Sequence, residues 1–117
     1  MSKNQTQVVF VGSGAISTAL GNILAADEDL NVHLLSIEQE VIQSINEQHV
    51  NSSYFPHLQL HPLLKASDNK QLLTAADVIF FGIPSTTIAG YIVENKDFIN
   101  HQAILVNLAK GFGPNHQ

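Results

Sequence analysis

The stretch VVFVGSGAISTALGNIL, Val8 to Leu24, constrains this chain more than any other. An apolar run, Gln7–Val11, meets Gly12, a second glycine follows at Gly14, and apolar side chains then recur at helical spacing. A near-continuous apolar strand is the pattern of a parallel strand covered on both faces. A helix over Ala15–Ala26 is predicted, with Ile16, Leu20, Ile23 and Leu24 on its buried stripe. Gly21 inside that helix costs about 1 kcal/mol relative to alanine.

The remaining sequence alternates in the same way. Asn31–Leu35 reads as a second strand, and a helix from about Glu38 to Asn46 turns Val41, Ile42 and Ile45 inward. Glu47–Leu64 holds two prolines, Asn51-Ser52-Ser53 and no helical period, and reads as one long loop. Loops of that length in compact domains are usually functional. Lys65–Ser67 is a short strand, after which Asp68 is expected to cap a brief helix reaching Thr74. Asp77–Phe81 is the clearest buried strand; Gly82-Ile83-Pro84-Ser85 turns out of it into a helix over Thr86–Asn95. Ala103–Leu108 is the last strand, with Lys110-Gly111 at its carboxyl end. Strands separated by helices imply right-handed crossovers and a parallel sheet. The expectation is a single α/β domain over residues 1–117, a Rossmann-type doubly wound parallel sheet of order 3-2-1-4-5. Its ligand crevice lies above the carboxyl ends of strands one and four.

Composition removes several function classes. The net charge of -5 argues against nucleic-acid or anionic-membrane partners, and no apolar run reaches the length of a membrane span. The absence of cysteine fits a cytoplasmic setting. All five basic residues are lysines, so any phosphate must rest on backbone N–H groups, hydroxyls or a lysine rather than on a guanidinium fork. His57 and His61 stand four apart but are flanked by Pro56 and Pro62, and no metal site is read there.

Gly12-Ser13-Gly14 lies where a dinucleotide cradle belongs, after a strand and opening a helix. Gly12 permits the tight turn, and Gly14 lets a pyrophosphate approach the backbone at a helix N-terminus. The third glycine of that fingerprint serves helix–strand packing, and Ser17 stands in its place. Its extra oxygen is expected to bond back to a carbonyl of the preceding turn. At the second strand's end an acidic residue suits NAD and an arginine suits NADP. Here Ser36 holds the acidic place, Ile37 offers nothing polar and Glu38 follows late, so the choice stays open on these residues.

Three segments carry a resemblance: NSSYFPHLQLHPLLKASD, AADVIFFGIPSTTIAGYI and ILVNLAKGF. With Gly12, Gly14, Thr18 and Ala19 they supply Tyr54-Phe55-Pro56, Ser67-Asp68, Ala76-Asp77, Ile83-Pro84-Ser85 and Lys110-Gly111 in order. The set resembles the N-terminal domain of the NAD(P)-dependent glycerol-3-phosphate dehydrogenase family. The resemblance implies that Ala15 and Ile16 contact the cofactor. It implies that Pro84 and Ser85 line the nicotinamide side, and that Lys110 is a catalytic lysine reaching both cofactor and substrate. Ile16 replaces the family's aromatic, Ser17 its glycine, and Ile37 the arginine or histidine common near the adenosine ribose. With no arginine in the chain a 2′-phosphate finds no charged fork, and Ile37 would desolvate it without returning a hydrogen bond. One Ser36 hydroxyl contact is too little to compensate, so NAD is expected, with NADP the lesser choice. The family's helical second domain, which binds the substrate phosphate, is absent from this chain. Two readings remain: a fragment or catalytically incomplete relative of the dehydrogenase, and a non-enzymatic nucleotide-sensing module. A small phosphorylated substrate is expected only with a second domain. A homodimer is expected through apolar surface left bare beyond the fifth strand, near Phe112.

Overall fold

The computed structural model describes residues 5–108. Five strands form one parallel sheet: β1 (Thr6–Val11), β2 (Leu30–Leu35), β3 (Lys65–Ser67), β4 (Val78–Phe81) and β5 (Ile104–Asn107). Their order is β3-β2-β1-β4-β5, as the alternation predicts. The first strand is central, so its side chains are covered on both faces. Val8 and Phe10 go to one core, Val9 and Val11 to the other. That is the period of two acting on an all-apolar strand.

The first core joins Val8, Phe10, Val32 and Leu34 to α1 (Ala15–Ala25), α2 (Gln39–Gln43) and the loop residues Leu60 and Leu64. The second joins Val9, Val11, Ile79 and Phe81 to α3 (Gln71–Ala75) and α4 (Ser85–Glu94). Phe10 and Phe80, register partners across β1 and β4, stack with ring centroids 4.7 Å apart. No residue of α4 is fully buried. Ile88, Tyr91 and Ile92 only partly cover the second core, which leaves room for a cleft beside that helix.

Three local expectations need correction. The buried face of α1 is Ser17, Thr18, Gly21 and Ala25, while Ile16 is 39% and Ile23 67% exposed. The hydrophobic stripe fails because α1 lies so close to the sheet that only small side chains fit. A Cβ on Gly21 would stand 3.2 Å from Leu34 Cδ2 and 3.3 Å from Leu64 Cδ1. Leu20 and Leu24 then pack along the flank of the contact. The helix after β2 gives way to a π-helical turn over Ser44–Gln48, closed by His49 in the left-handed region at φ 58°. Asp68 does not cap α3; its carboxylate accepts the Gln39 amide at 2.9 Å, and Asn69 Oδ1 receives the Gln71 N–H instead.

Candidate functional site

The glycine loop sits where β1, β2 and β4 end together. Gly12 donates its N–H to Leu35 O at 2.8 Å, and Gly82 donates to Val11 O at 2.9 Å. Gly12 has φ 104°, a conformation side chains resist, and a Cβ there would also stand 3.1 Å from Gly82 O. Gly14 begins α1 without any capping side chain, and the first helical bond runs from Thr18 N to Gly14 O. The N–H groups of Gly14, Ala15 and Ile16 find no partner among the described residues. Nothing lies within 4 Å of a Cβ built on Gly14. Free donors, the positive end of a helix and empty space together suit an anion.

Ser17 meets Gly82 directly. Ser17 is 1% exposed, its Oγ has no hydrogen-bond partner, and a Cβ on Gly82 would collide with that oxygen. The expected bond back to a helix carbonyl does not form. The small residue that close packing demands has moved from the helix to the loop after β4.

The second strand's end is organised around Glu38. The Glu38 N–H donates to Ser36 Oγ at 3.0 Å, and Ser36 Oγ lies 2.7 Å from Ser13 Oγ. The Ser13 hydroxyl donates to Glu38 Oε1 at 3.1 Å. Each hydroxyl has one proton, so the ring has one consistent direction: Ser36 donates to Ser13 and Ser13 to the carboxylate. Tyr54 Oη also reaches Glu38 Oε1, at 3.5 Å. Position 38 therefore carries the acid that position 36 lacks, folded back against the glycine loop. The hint in the sequence was a carboxylate three residues beyond the strand, which its local reading treated as a helix-start residue.

A cleft of about 910 Å³ opens from this loop toward α4. That volume lies within the range of pockets that enclose small organic ligands. Gly12, Ser13, Ser36, Ile37 and Pro84 line it. Gly14, Ala15, Ile16 and Ser85 do not: the first three open α1, and Ser85 is the exposed first residue of α4. Ile37 is 90% exposed at the rim. Lys110 lies outside the described residues. Sequence reasoning missed Asp68, Lys70, Glu94 and Tyr91 as cleft residues. Nothing local marks them, because α4 and the turn after β3 meet only in the folded sheet. Three carboxylates, Glu38, Asp68 and Glu94, face one ammonium, Lys70, among the described lining residues. Burial, and then the Glu94 charge, push the Tyr91 hydroxyl above its usual range. No helix among the described residues is long and apolar enough to cross a membrane.

Residues 7–117 match the family model for the NAD-dependent glycerol-3-phosphate dehydrogenase N-terminus. A glycerol-3-phosphate dehydrogenase [NAD(P)+] of Leptospira biflexa is 39% identical over 106 residues, covering 90% of this chain and 32% of that protein. The chain thus spans about a third of the length of this curated relative. The structure of a glycerol-3-phosphate dehydrogenase from Saccharomyces cerevisiae superposes with a TM-score of 0.78 at 21% identity, covering 88% of this chain and 33% of that one. A malate dehydrogenase from Cryptosporidium parvum shares the fold, with a TM-score of 0.66 at 14% identity over 88% of this chain and 37% of its own. The strand order, the glycine turn and the matched span agree: the chain belongs to the NAD-dependent glycerol-3-phosphate dehydrogenase family and forms its N-terminal, NAD-binding domain.

Proposed function

We propose that this domain binds NAD(H) in preference to NADP(H), and that it is the cofactor half of an enzyme interconverting dihydroxyacetone phosphate and glycerol-3-phosphate. The observation that carries the cofactor choice is the Glu38 carboxylate, held by Ser13 at the glycine loop. A carboxylate there accepts the ribose hydroxyls of NAD and repels the 2′-phosphate of NADP. Asp68 adds a second negative charge to the same cleft, and Lys70 is the only cation among the described residues that line it. Charge carries this argument. Desolvation by Ile37, a sequence-based reason for the same preference, has no support in a side chain that is 90% exposed.

In this reading the pyrophosphate rests on the N–H groups of Gly14, Ala15 and Ile16. Ser36 and Ile37 border the adenosine ribose, and Pro84 and Ser85 border the nicotinamide side. Lys110 is assigned as the catalytic lysine contributed by this domain, and its geometry lies outside the described residues. The cofactor carries the hydride. The substrate phosphate would be held by residues beyond this chain, so residues 1–117 alone are expected to be inactive toward dihydroxyacetone phosphate. The test is a pair of calorimetric titrations with NADH and NADPH. NADH is expected to bind at ~0.1–1 mM, since Ile16 offers no aromatic platform, and NADPH more weakly. Tighter binding of NADPH overturns the preference.

β5 forms the sheet edge among the described residues, and Ile104 and Leu105 on it are 63% and 44% exposed. This bare apolar surface supports self-association of the isolated domain. Phe112, part of the same expectation, lies outside the described residues.

A further inference from the structure

We propose that Asn51 is a positioning residue of the phosphate cradle: its buried amide sets the plane of the Ser13–Gly14 peptide and so aims the Gly14 N–H at a bound pyrophosphate. The proposal rests on the dinucleotide reading above. Asn51 lies in the long loop between the π-helical turn and β3 and is completely buried. Its Nδ2 donates to Ser13 O at 3.0 Å and to Thr18 Oγ1 at 2.8 Å. The Thr18 hydroxyl, having accepted that bond, donates in turn to Ser13 O at 3.3 Å. On its other side, Asn51 Oδ1 accepts the N–H groups of Ser53 and Tyr54 at 3.3 and 3.2 Å. Exchanging the amide's oxygen and nitrogen would set oxygen against a carbonyl, so only one orientation satisfies all four contacts.

The consequence follows from peptide geometry. The C=O of residue 13 and the N–H of residue 14 share one planar, trans unit and point in opposite directions. Drawing Ser13 O toward Asn51 turns the Gly14 N–H away from it. That N–H has no partner among the described residues, and the space beside Gly14 is empty. The loop does not depend on Asn51 alone for its place. Leu60 N donates to His49 O at 2.7 Å, and His61 N donates to Asn22 Oδ1 at 2.7 Å. The amide thus holds the carbonyl whose peptide plane orients the first of the cradle donors.

Asn51→Asp tests this on the full chain. It keeps the acceptor for Ser53 and Tyr54 but at neutral pH turns an oxygen toward Ser13 O. The amide resonance of Gly14 in the unliganded protein is expected to move further than those of Gly21 and Gly90. The NADH dissociation constant is expected to rise about tenfold. Lowering the pH protonates the introduced carboxyl, which then donates to Ser13 O, and most of the affinity returns. Thr18→Val keeps the Asn51 bond to Ser13 O, and is expected to shift the Gly14 resonance less and weaken NADH by about threefold. A folded Asn51→Asp with unchanged Gly14 resonance and unchanged affinity overturns the proposal. If that variant does not fold, Asn51→Ala, which removes the donor without adding a charge, takes its place, and an unmoved Gly14 resonance with unchanged affinity there overturns the proposal. Failure of the unaltered chain to bind NADH refutes only the functional reading, and the Gly14 resonances of the unliganded variants still decide the role of Asn51.

Discussion

Ser17→Ala is expected to stabilise this domain, because the serine hydroxyl is buried against Gly82 without a partner. An unsatisfied buried hydroxyl costs about 1–3 kcal/mol, which its removal returns. Alanine adds roughly 0.5 kcal/mol of helix propensity inside α1. The lost oxygen gives up a few atom contacts, about 0.5 kcal/mol in all. The net gain is about 1–2 kcal/mol at the low end of that desolvation range. In a domain this size it raises Tm by roughly 4–8 °C, read by calorimetry or circular dichroism. The reciprocal change, Gly82→Ala, is expected to destabilise strongly, since its Cβ would collide with Ser17 Oγ and lie 3.4 Å from Val11 O. Ser17→Gly combined with Gly82→Ala should recover about 1–3 kcal/mol of that loss, the coupling expected of residues in direct contact. A Ser17→Ala protein no more stable than the parent would mean the hydroxyl is satisfied after all. Strict additivity in the cycle would refute the idea that these two positions share one packing role.

Three further outcomes follow from the site and the sheet. Glu38→Gln removes the charge expected to oppose a 2′-phosphate while keeping an acceptor for Ser13, so NADPH affinity should rise about tenfold relative to NADH in parallel titrations; an unchanged ratio would sink the assigned role. Gly12→Ala forces a side chain into φ 104° and against Gly82 O, costing about 1–2 kcal/mol of stability in chemical denaturation and weakening NADH binding. His33, on β2 beside Lys65 of β3, has its pKa held below the usual 6.5 by burial and then by the Lys65 charge. The unfolded chain therefore takes up this proton more readily, so His33's contribution to stability is full above pH 6.5 and is lost as the pH falls through the lower folded value. His33→Gln should flatten the stability profile across that window, and an unaltered slope would assign the effect elsewhere.

The sequence by itself determined the sheet. Short apolar runs separated by helical segments admit few arrangements once crossovers are right-handed, and the order β3-β2-β1-β4-β5 follows. The turn at Gly12 was legible for the same reason, since a positive φ after a strand nearly requires glycine. Contacts between distant residues were decided only by tertiary structure. The inward face of α1 is set by how near it lies to Leu34 and Leu64, so Ser17, Thr18 and Gly21 displaced the expected Ile16 and Ile23. The small residue missing from position 17 reappears as Gly82, whose role depends on which strand stands beside β1. Asn51 reads locally as a turn former, yet it grips Ser13 across 38 residues of chain. Glu38 joins the glycine loop only because β2 pairs with β1 and carries its end to Ser13. Periodicity records which side chains prefer to leave water; it does not record which polar atoms meet once they have done so.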